Sequence, residues 1–77
     1  MELELRVKTA ELLKVVRLEK GLSQERLARM SGIDRTFISG VERCCRNITL
    51  DTLDKLLQAL ETDRSGFLIR LAVLVAT

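Results

Sequence analysis

Apolar residues recur at three- and four-residue spacing along most of the chain, which is the period of an amphipathic helix. Short polar breaks divide this pattern. Residues 1–6 alternate Glu and Leu, but the stretches between the glycines keep the helical spacing and do not alternate as a strand does. We therefore predict an all-α fold of five helices. The first is expected over about 7–20, with residues 1–6 as an extra turn or frayed start. The second is expected from a cap at Ser23 to Gly32, the third from a cap at Asp34 to about Arg43, the fourth from a cap at Thr49 to Leu60, and the fifth, after a cap at Asp63, over about 64–76.

The second and third predicted helices are joined by a turn of about three residues. Ser23 and Asp34 are residue types whose side chains cap the first turn of a helix, and Gly32 supplies the left-handed conformation in which a helix commonly ends. Two short helices joined by a tight turn with a glycine are the signature of a helix-turn-helix motif. We place this motif at about residues 23–43, and we expect the other helices to support it.

The third predicted helix has a polar face without an evident structural purpose. Ile38 and Val41 are three residues apart and are expected to face the core. The opposite face is expected to hold Arg35, Thr36, Ser39, Gly40 and Arg43. An arginine in a first helical turn opposes the helix dipole, so Arg35 indicates an anionic partner beyond the N-terminus of this helix. A solvated arginine without a partner is the alternative.

The last predicted helix is apolar on every side, and Arg70 is the only charge in its second half. Such a helix must be covered on every side, which a domain of 77 residues does not achieve alone. The domain itself is expected to cover Phe67, Leu68 and Leu71. The same helix of a second subunit, in a homodimer, is expected to cover Ile69, Ala72, Val73 and Val75. Membrane anchoring is disfavoured because about 13 residues are too few to span a bilayer.

The length of 77 residues predicts one domain over residues 1–77. The net charge is only +2, but residues 17–46 hold seven Lys or Arg residues against four Asp or Glu residues. Basic charge concentrated on a helix-turn-helix is typical of nucleic-acid binding. The sequence shows neither a signal peptide nor a membrane span, so we expect a cytoplasmic protein.

Catalytic and metal-binding chemistry is not expected. The chain has no histidine, no glycine-rich phosphate loop and no cluster of metal ligands. We therefore predict that the protein is not an enzyme, and that it binds no cofactor, metal or small molecule. Cys44 and Cys45 are adjacent and are expected to be reduced thiols, with an intermolecular disulfide or redox sensing as the alternative.

Four polar residues outside the third helix's face have candidate roles. Arg17 lies late in the first predicted helix and Glu42 late in the third, so the two can pair across the fold. Arg46 and Asn47 lie in the loop after the third helix and are residue types that contact phosphate. Ordinary loop polarity is the alternative for Arg46 and Asn47.

The run RLEKGLSQERLARMSGIDRTFISGVERCCRNITLDTL resembles the phage repressor and Cro type of helix-turn-helix domain. The shared features are an arginine late in helix 1, the entry G-L-S-Q, the pair L-A, a glycine turn, an I-S-x-x-E run and an R-N before a capped helix. The resemblance covers about residues 9–68. Within that family the chain is most similar to the controller proteins of bacterial restriction–modification systems, which share the run over residues 34–43 and dimerise through a fifth helix.

The resemblance implies a bacterial, nucleoid-associated homodimer that binds palindromic operators in double-stranded DNA. Such a dimer first activates and then represses its own and the endonuclease promoter, with RNA polymerase as a possible partner. Carried over position by position, the resemblance implies base-edge contacts by Arg35, Thr36 and Ser39, backbone contacts by Gln24, Arg43, Arg46 and Asn47, and an internal ion pair of Arg17 with Glu42.

The chain also departs from this family. Cys44 and Glu61 stand where glycine is usual, Ile48 where proline is frequent and Phe37 where tyrosine is common. Because Cys44 takes the place of that glycine, we expect the loop after the third helix to bend differently. Two alternative functions remain. The first, also a DNA-binding protein, is a phage or plasmid repressor or the DNA-binding partner of a toxin. The second, of another class, is a module that binds an unlike protein through its last helix.

Overall fold

The computed structural model describes residues 4–77, and this part of the chain holds five helices and no strand. The helices are α1 (Glu4–Glu19), α2 (Gln24–Ser31), α3 (Arg35–Glu42), α4 (Leu50–Ala59) and α5 (Arg64–Ala76). The predicted all-α class and the order of the helices are confirmed. Helix α1 begins at Glu4, which agrees with an extra turn before residue 7, whereas the expectation for residues 1–3 lies outside the described residues.

Four helices begin at the capping residues that the sequence indicates. In each case a side-chain oxygen accepts a hydrogen bond from a backbone N–H in the first turn, and such a cap stabilises a helix by about 1 kcal/mol. The pairs are Ser23 with Arg26 (3.0 Å), Asp34 with Thr36 (2.7 Å), Thr49 with Thr52 (3.0 Å) and Asp63 with Gly66 (2.8 Å).

Four helix ends carry a residue with a positive φ angle. Gly21 (φ 71°) and Gly32 (φ 73°) take this left-handed conformation without steric cost. Cys44 (φ 60°) and Glu61 (φ 52°) take it as well, although each has a Cβ atom. The different bend that we expected after the third helix is therefore wrong, because Cys44 keeps the conformation that glycine favours.

The hydrophobic core receives side chains from all five helices and from Leu60, directly after α4. Its buried members are Leu12, Leu13, Val16, Leu27, Ile38, Val41, Leu56, Leu57, Leu60 and Phe67. Helix α5 contributes only Phe67 to this buried set, so α5 lies at the edge of the domain. The prediction that Leu68 faces the core is wrong, since this residue is 56% exposed. Leu71, the third predicted inward residue, is half-buried.

Two exposed ion pairs hold α5 against its neighbours. Arg70 donates two hydrogen bonds of 3.0 Å to the carboxylate of Glu19 on α1. Arg64 pairs with Asp54 on α4. In the described part of the chain, no helix is long and apolar enough to cross a membrane.

Candidate nucleic-acid interface

Helix α3 presents a polar face to solvent and an apolar face to the core. Ile38 and Val41 are 2% and 3% exposed, which fixes the rotation of the helix about its axis. Arg35 and Thr36 are exposed and Ser39 is half-buried, so these three side chains follow one another along the outer face. Gly40, which we expected on the outer face, is instead buried.

Arg35 has an anionic neighbour within the helix-turn-helix. Its Nε atom lies 3.4 Å from Oε2 of Glu25 on α2, and both side chains are more than half exposed. A pair this exposed contributes at most about 1 kcal/mol, so another anion or a base edge can replace Glu25 at little cost. Glu25 thus supplies part of the anion that the sequence indicates, and this pair was not predicted.

Arg17 and Glu42 form a buried ion pair between α1 and α3. Arg17 Nε and Nη2 donate to the two carboxylate oxygens of Glu42 at 2.7 and 2.9 Å. Arg17 Nη1 also donates to the backbone oxygen of Leu22 at 2.8 Å, and so fixes the turn between α1 and α2. The two charged side chains are only 8% and 5% exposed. The pair therefore ties the helix-turn-helix to α1.

Gln24 joins this pair as a third member. Its side-chain nitrogen donates to Glu42 Oε1 at 3.0 Å. The amide nitrogen that we expected on a DNA phosphate is thus bonded inside the protein in this structure. Burial of the Glu42 carboxyl raises its pKa, but the hydrogen bonds from Arg17 and Gln24 outweigh burial, so the pKa lies below the usual value.

The loop between α3 and α4 carries three exposed polar residues: Arg43, Arg46 and Asn47. Arg43 Nε donates to the backbone oxygen of Ser39 at 3.3 Å. Asn47 Oδ1 accepts a hydrogen bond from Arg6 Nη1 on α1. The Arg46 guanidinium lies over the ring of Phe37, with its Cζ atom 5.9 Å from the ring centroid.

Arginine side chains in this arrangement can do two things to DNA. A guanidinium on the outer face of α3 can pair with the acceptor edge of guanine in the major groove. Guanidinium groups at the end of α3 can contact the phosphates beside that groove. The links from Arg6 to Asn47 and from Phe37 to Arg46 were not predicted, because they depend on which helix side the loop crosses.

Cys44 and Cys45 are both free thiols in this loop. Cys44 is half-buried, whereas Cys45 is exposed and its Sγ donates to the backbone oxygen of Arg43 at 3.6 Å. Among residues 4–77, no group of three or more His, Cys, Asp or Glu side chains could hold a metal ion.

Helix α5 has two apolar flanks, and the predicted dimer residues are divided between them. We call the first the Leu68 flank: Ala72 and Val75 line a groove there with Leu68, and Leu50 and Leu5 extend it. We call the second the Val73 flank: Ile69 and Val73 line a groove with Val15 of α1. The exposed large side chains of the two flanks are Leu5 (63%), Leu50 (82%), Leu68 (56%), Val15 (43%), Ile69 (66%) and Val73 (61%).

A helix-turn-helix family model matches residues 13–67 of the chain. A Neisseria meningitidis protein described as a hypothetical transcription factor is 46% identical over 59 residues, which span 77% of this chain and 56% of that protein. The control protein C.SmaI of Serratia marcescens is 48% identical over 61 residues, which span 79% of this chain and 73% of that protein.

The fold is also similar to that of the restriction–modification controller protein C.Esp1396I, solved as a tetramer in complex with its natural 35-base-pair operator. That chain is 39% identical, the superposition covers 99% of this chain and 100% of that chain, and the TM-score is 0.94. The similarity therefore includes α5, most of which lies beyond the residues that the family model matches.

Proposed function

Because the chain belongs to the helix-turn-helix family, we propose that it is a sequence-specific DNA-binding transcriptional regulator and acts as the controller protein of a restriction–modification system. The observation that carries this proposal is the outer face of α3, where Arg35 and Thr36 are exposed on a helix anchored by Ile38 and Val41. In this role the protein binds operators at its own promoter, activates it together with the endonuclease promoter, and represses both at high occupancy.

The proposal gives the polar residues two kinds of contact. Arg35, Thr36 and Ser39 contact base edges in the major groove, which carries a distinct donor and acceptor pattern for each base pair. The backbone contacts are made by Gln24, Arg43, Arg46 and Asn47. For Gln24 this requires its backbone N–H or its amide oxygen, because the amide nitrogen is bonded to Glu42.

We propose that the protein works as a homodimer that buries the Leu68 flank of α5. Leu50 and Leu68 belong to this flank, and Asn47 of the α3–α4 loop borders the same groove. A partner on this flank therefore sits beside the residues proposed to contact the DNA backbone. This arrangement lets two copies of α3 enter successive major grooves about 34 Å apart. Ala72 and Val75 take part in this interface, whereas Ile69 and Val73 lie on the other flank.

Three further points belong to the same proposal: a single domain over residues 1–77, a contact with RNA polymerase during activation, and a place on the nucleoid in a bacterial cytoplasm. A phage or plasmid repressor uses the same DNA contacts, so the genes beside this one decide between the two contexts. Finding endonuclease and methyltransferase genes beside it would support the controller role.

The test is a titration of the protein on DNA from upstream of its own gene, after footprinting has located the operator. Specific binding should weaken steeply with salt, because phosphate contacts release counterions. Arg35→Ala should cost about 1–3 kcal/mol and relax sequence preference at one position. Arg29→Ala is the matched control, since it removes the same charge from an exposed site on α2.

Two results would contradict the proposal at different levels. If Arg35→Ala keeps both the affinity and the sequence preference of the wild type, α3 is not the recognition helix. If the wild-type protein protects no upstream sequence and binds all DNA equally, the regulator role fails and a protein-interaction module becomes the better interpretation.

A further inference from the structure

We infer that Gly40 and Phe37 form a seat on α3 that holds Arg46 in position for its DNA contact. The seat consists of the space above Gly40 and the face of the Phe37 ring. Both are positioning residues, because they act through Arg46 and not by touching DNA themselves. The inference rests on the proposed DNA-binding function and adds to it a reason for the glycine inside α3.

The space that a side chain at Gly40 would need is already filled by Arg46. A Cβ atom added there would lie 2.6 Å from Cγ of Arg46, which is closer than real Cβ contacts come. Glycine in the interior of a helix is unfavourable compared with alanine, so its presence calls for a physical reason. The approach of the Arg46 stem to the α3 backbone supplies that reason.

Phe37 receives the other end of the same side chain. It precedes Gly40 by three residues, so the two positions are neighbours on one side of the helix. The Arg46 guanidinium lies 5.9 Å from the ring centroid, within the range in which an aromatic face attracts a cation. Arg46 therefore runs along α3 from Gly40 towards the helix N-terminus, where Arg35 and Thr36 are exposed.

The backbone turn after α3 brings Arg46 back to this seat. Cys45 N–H donates to Gly40 O at 2.8 Å and Cys44 N–H donates to Val41 O at 2.9 Å, a pattern that reverses the chain at a helix end. The positive φ of Cys44 is part of this reversal. Gly40 thus contacts the loop twice, through its carbonyl oxygen and through the space that it leaves for Arg46.

A seated Arg46 has already lost side-chain freedom before DNA arrives, so less entropy is lost when the contact forms. Gly40→Ala places a methyl group where the Arg46 stem lies. Since that stem can swing into solvent, the helix should persist while Arg46 leaves its seat. The variant should therefore behave in DNA binding like a protein without Arg46, although it keeps the arginine charge.

The experiment compares Gly40→Ala, Arg46→Ala and the double variant by titration on the footprinted operator at several salt concentrations. Each single variant should bind about tenfold more weakly, which corresponds to about 1.4 kcal/mol. The double variant should bind no more weakly than Arg46→Ala alone, because both changes remove one contact. Gly40→Ala should also lower the salt slope by about two, about one for each subunit of the dimer, although no charge is lost.

The matched control is Gly66→Ala, a glycine-to-alanine change within α5. A Cβ atom there meets only Asp63, at an ordinary contact distance of 3.5 Å, so DNA affinity should stay unchanged. Urea unfolding should place the midpoint of Gly40→Ala at or above that of the wild type, because alanine favours the helix. Phe37→Leu is the second variant, since it keeps an apolar side chain but removes the ring.

A measurement without DNA separates the seat from the proposed function. In NMR spectra of the free protein, the Arg46 Nε–H signal should carry a ring-current shift that Gly40→Ala and Phe37→Leu both remove. An unchanged signal in both variants would show that the seat does not exist. In a second case the signal moves, but the double variant loses DNA affinity by the product of the losses in Gly40→Ala and Arg46→Ala. The seat then exists without positioning Arg46 for DNA, and the inference is wrong. A wild type without operator binding would reject the proposed function.

Discussion

The ion pair of Arg17 with Glu42 gives a prediction about stability that does not depend on DNA. Arg17→Met keeps the length and the apolar stem of the side chain but removes its charge. Three hydrogen bonds are lost, two to Glu42 and one to the backbone oxygen of Leu22. The Glu42 carboxylate, 5% exposed, then keeps only the bond from Gln24.

The expected loss is large for a domain of this size. Removing one partner of a buried ion pair costs about 3–5 kcal/mol, because the other charge stays buried without compensation. A domain of 77 residues has a total unfolding free energy of about 4–12 kcal/mol. Arg17→Met should therefore remove about a quarter or more of the stability. The double variant Arg17→Met/Glu42→Met should recover most of the loss, since no unpaired charge remains.

Urea unfolding followed by circular dichroism measures this loss. All variants are compared at one protein concentration, because the apparent stability of a dimer depends on concentration. Arg70→Met is the matched control: Arg70 makes the same two-bond contact with Glu19, but the side chains are 47% and 51% exposed. A pair this exposed contributes little to stability, because water and salt screen its charges. If Arg17→Met costs no more than Arg70→Met, the argument from burial is wrong.

The same variant has a predicted pH dependence. In the wild type the pKa of Glu42 is lower in the folded than in the unfolded protein. The stabilisation that the ionised Glu42 gives to the folded protein is therefore complete above the unfolded-state pKa of about 4.5, and it is lost as the pH falls through the folded-state pKa. In Arg17→Met the negative charge of the buried Glu42 carboxylate is unfavourable, and acid removes this charge by protonating the group. Because burial without Arg17 raises the Glu42 pKa in the variant, the difference in unfolding free energy between the two proteins should begin to shrink above pH 4.5. It should shrink further below about 4.5, where the wild type loses the stabilisation from its ion pair. A constant difference would contradict the assigned cause.

Two further predictions concern a loop and the dimer. Cys44→Gly should raise the unfolding free energy by about 0.5–1 kcal/mol, because relief of the left-handed strain exceeds the added entropy of the unfolded chain; Cys45→Gly, outside that conformation, should not stabilise in urea unfolding. Leu68→Glu should shift the protein to monomer in sedimentation equilibrium and weaken operator binding with it, whereas Ile69→Glu on the Val73 flank should remain dimeric. The opposite result would move the interface to the Val73 flank.

Local signals in the sequence predicted the helices well because they arise within a few residues of each helix end. The caps at Ser23 and Asp34 and the inward pair Ile38 and Val41 are of this kind. The pairing of Arg70 with Glu19 joins residues 51 positions apart on exposed faces, and no pattern in the sequence specifies it. Leu68 was misplaced for another reason: a helix that is apolar on every side gives no direction to its buried face.

The position of α3 and the presentation of its proposed DNA-binding surface depend on different residues. Glu42 anchors the end of α3 to Arg17 in the interior, so a change there alters stability. Gly40 faces the loop, and a change there displaces an exposed arginine without opening the core. We therefore expect changes at Arg17 to alter mainly the stability and changes at Gly40 to alter mainly the DNA affinity. The glycine is unfavourable for the helix and useful for the surface, which is the pattern expected where binding, not folding, determines a residue.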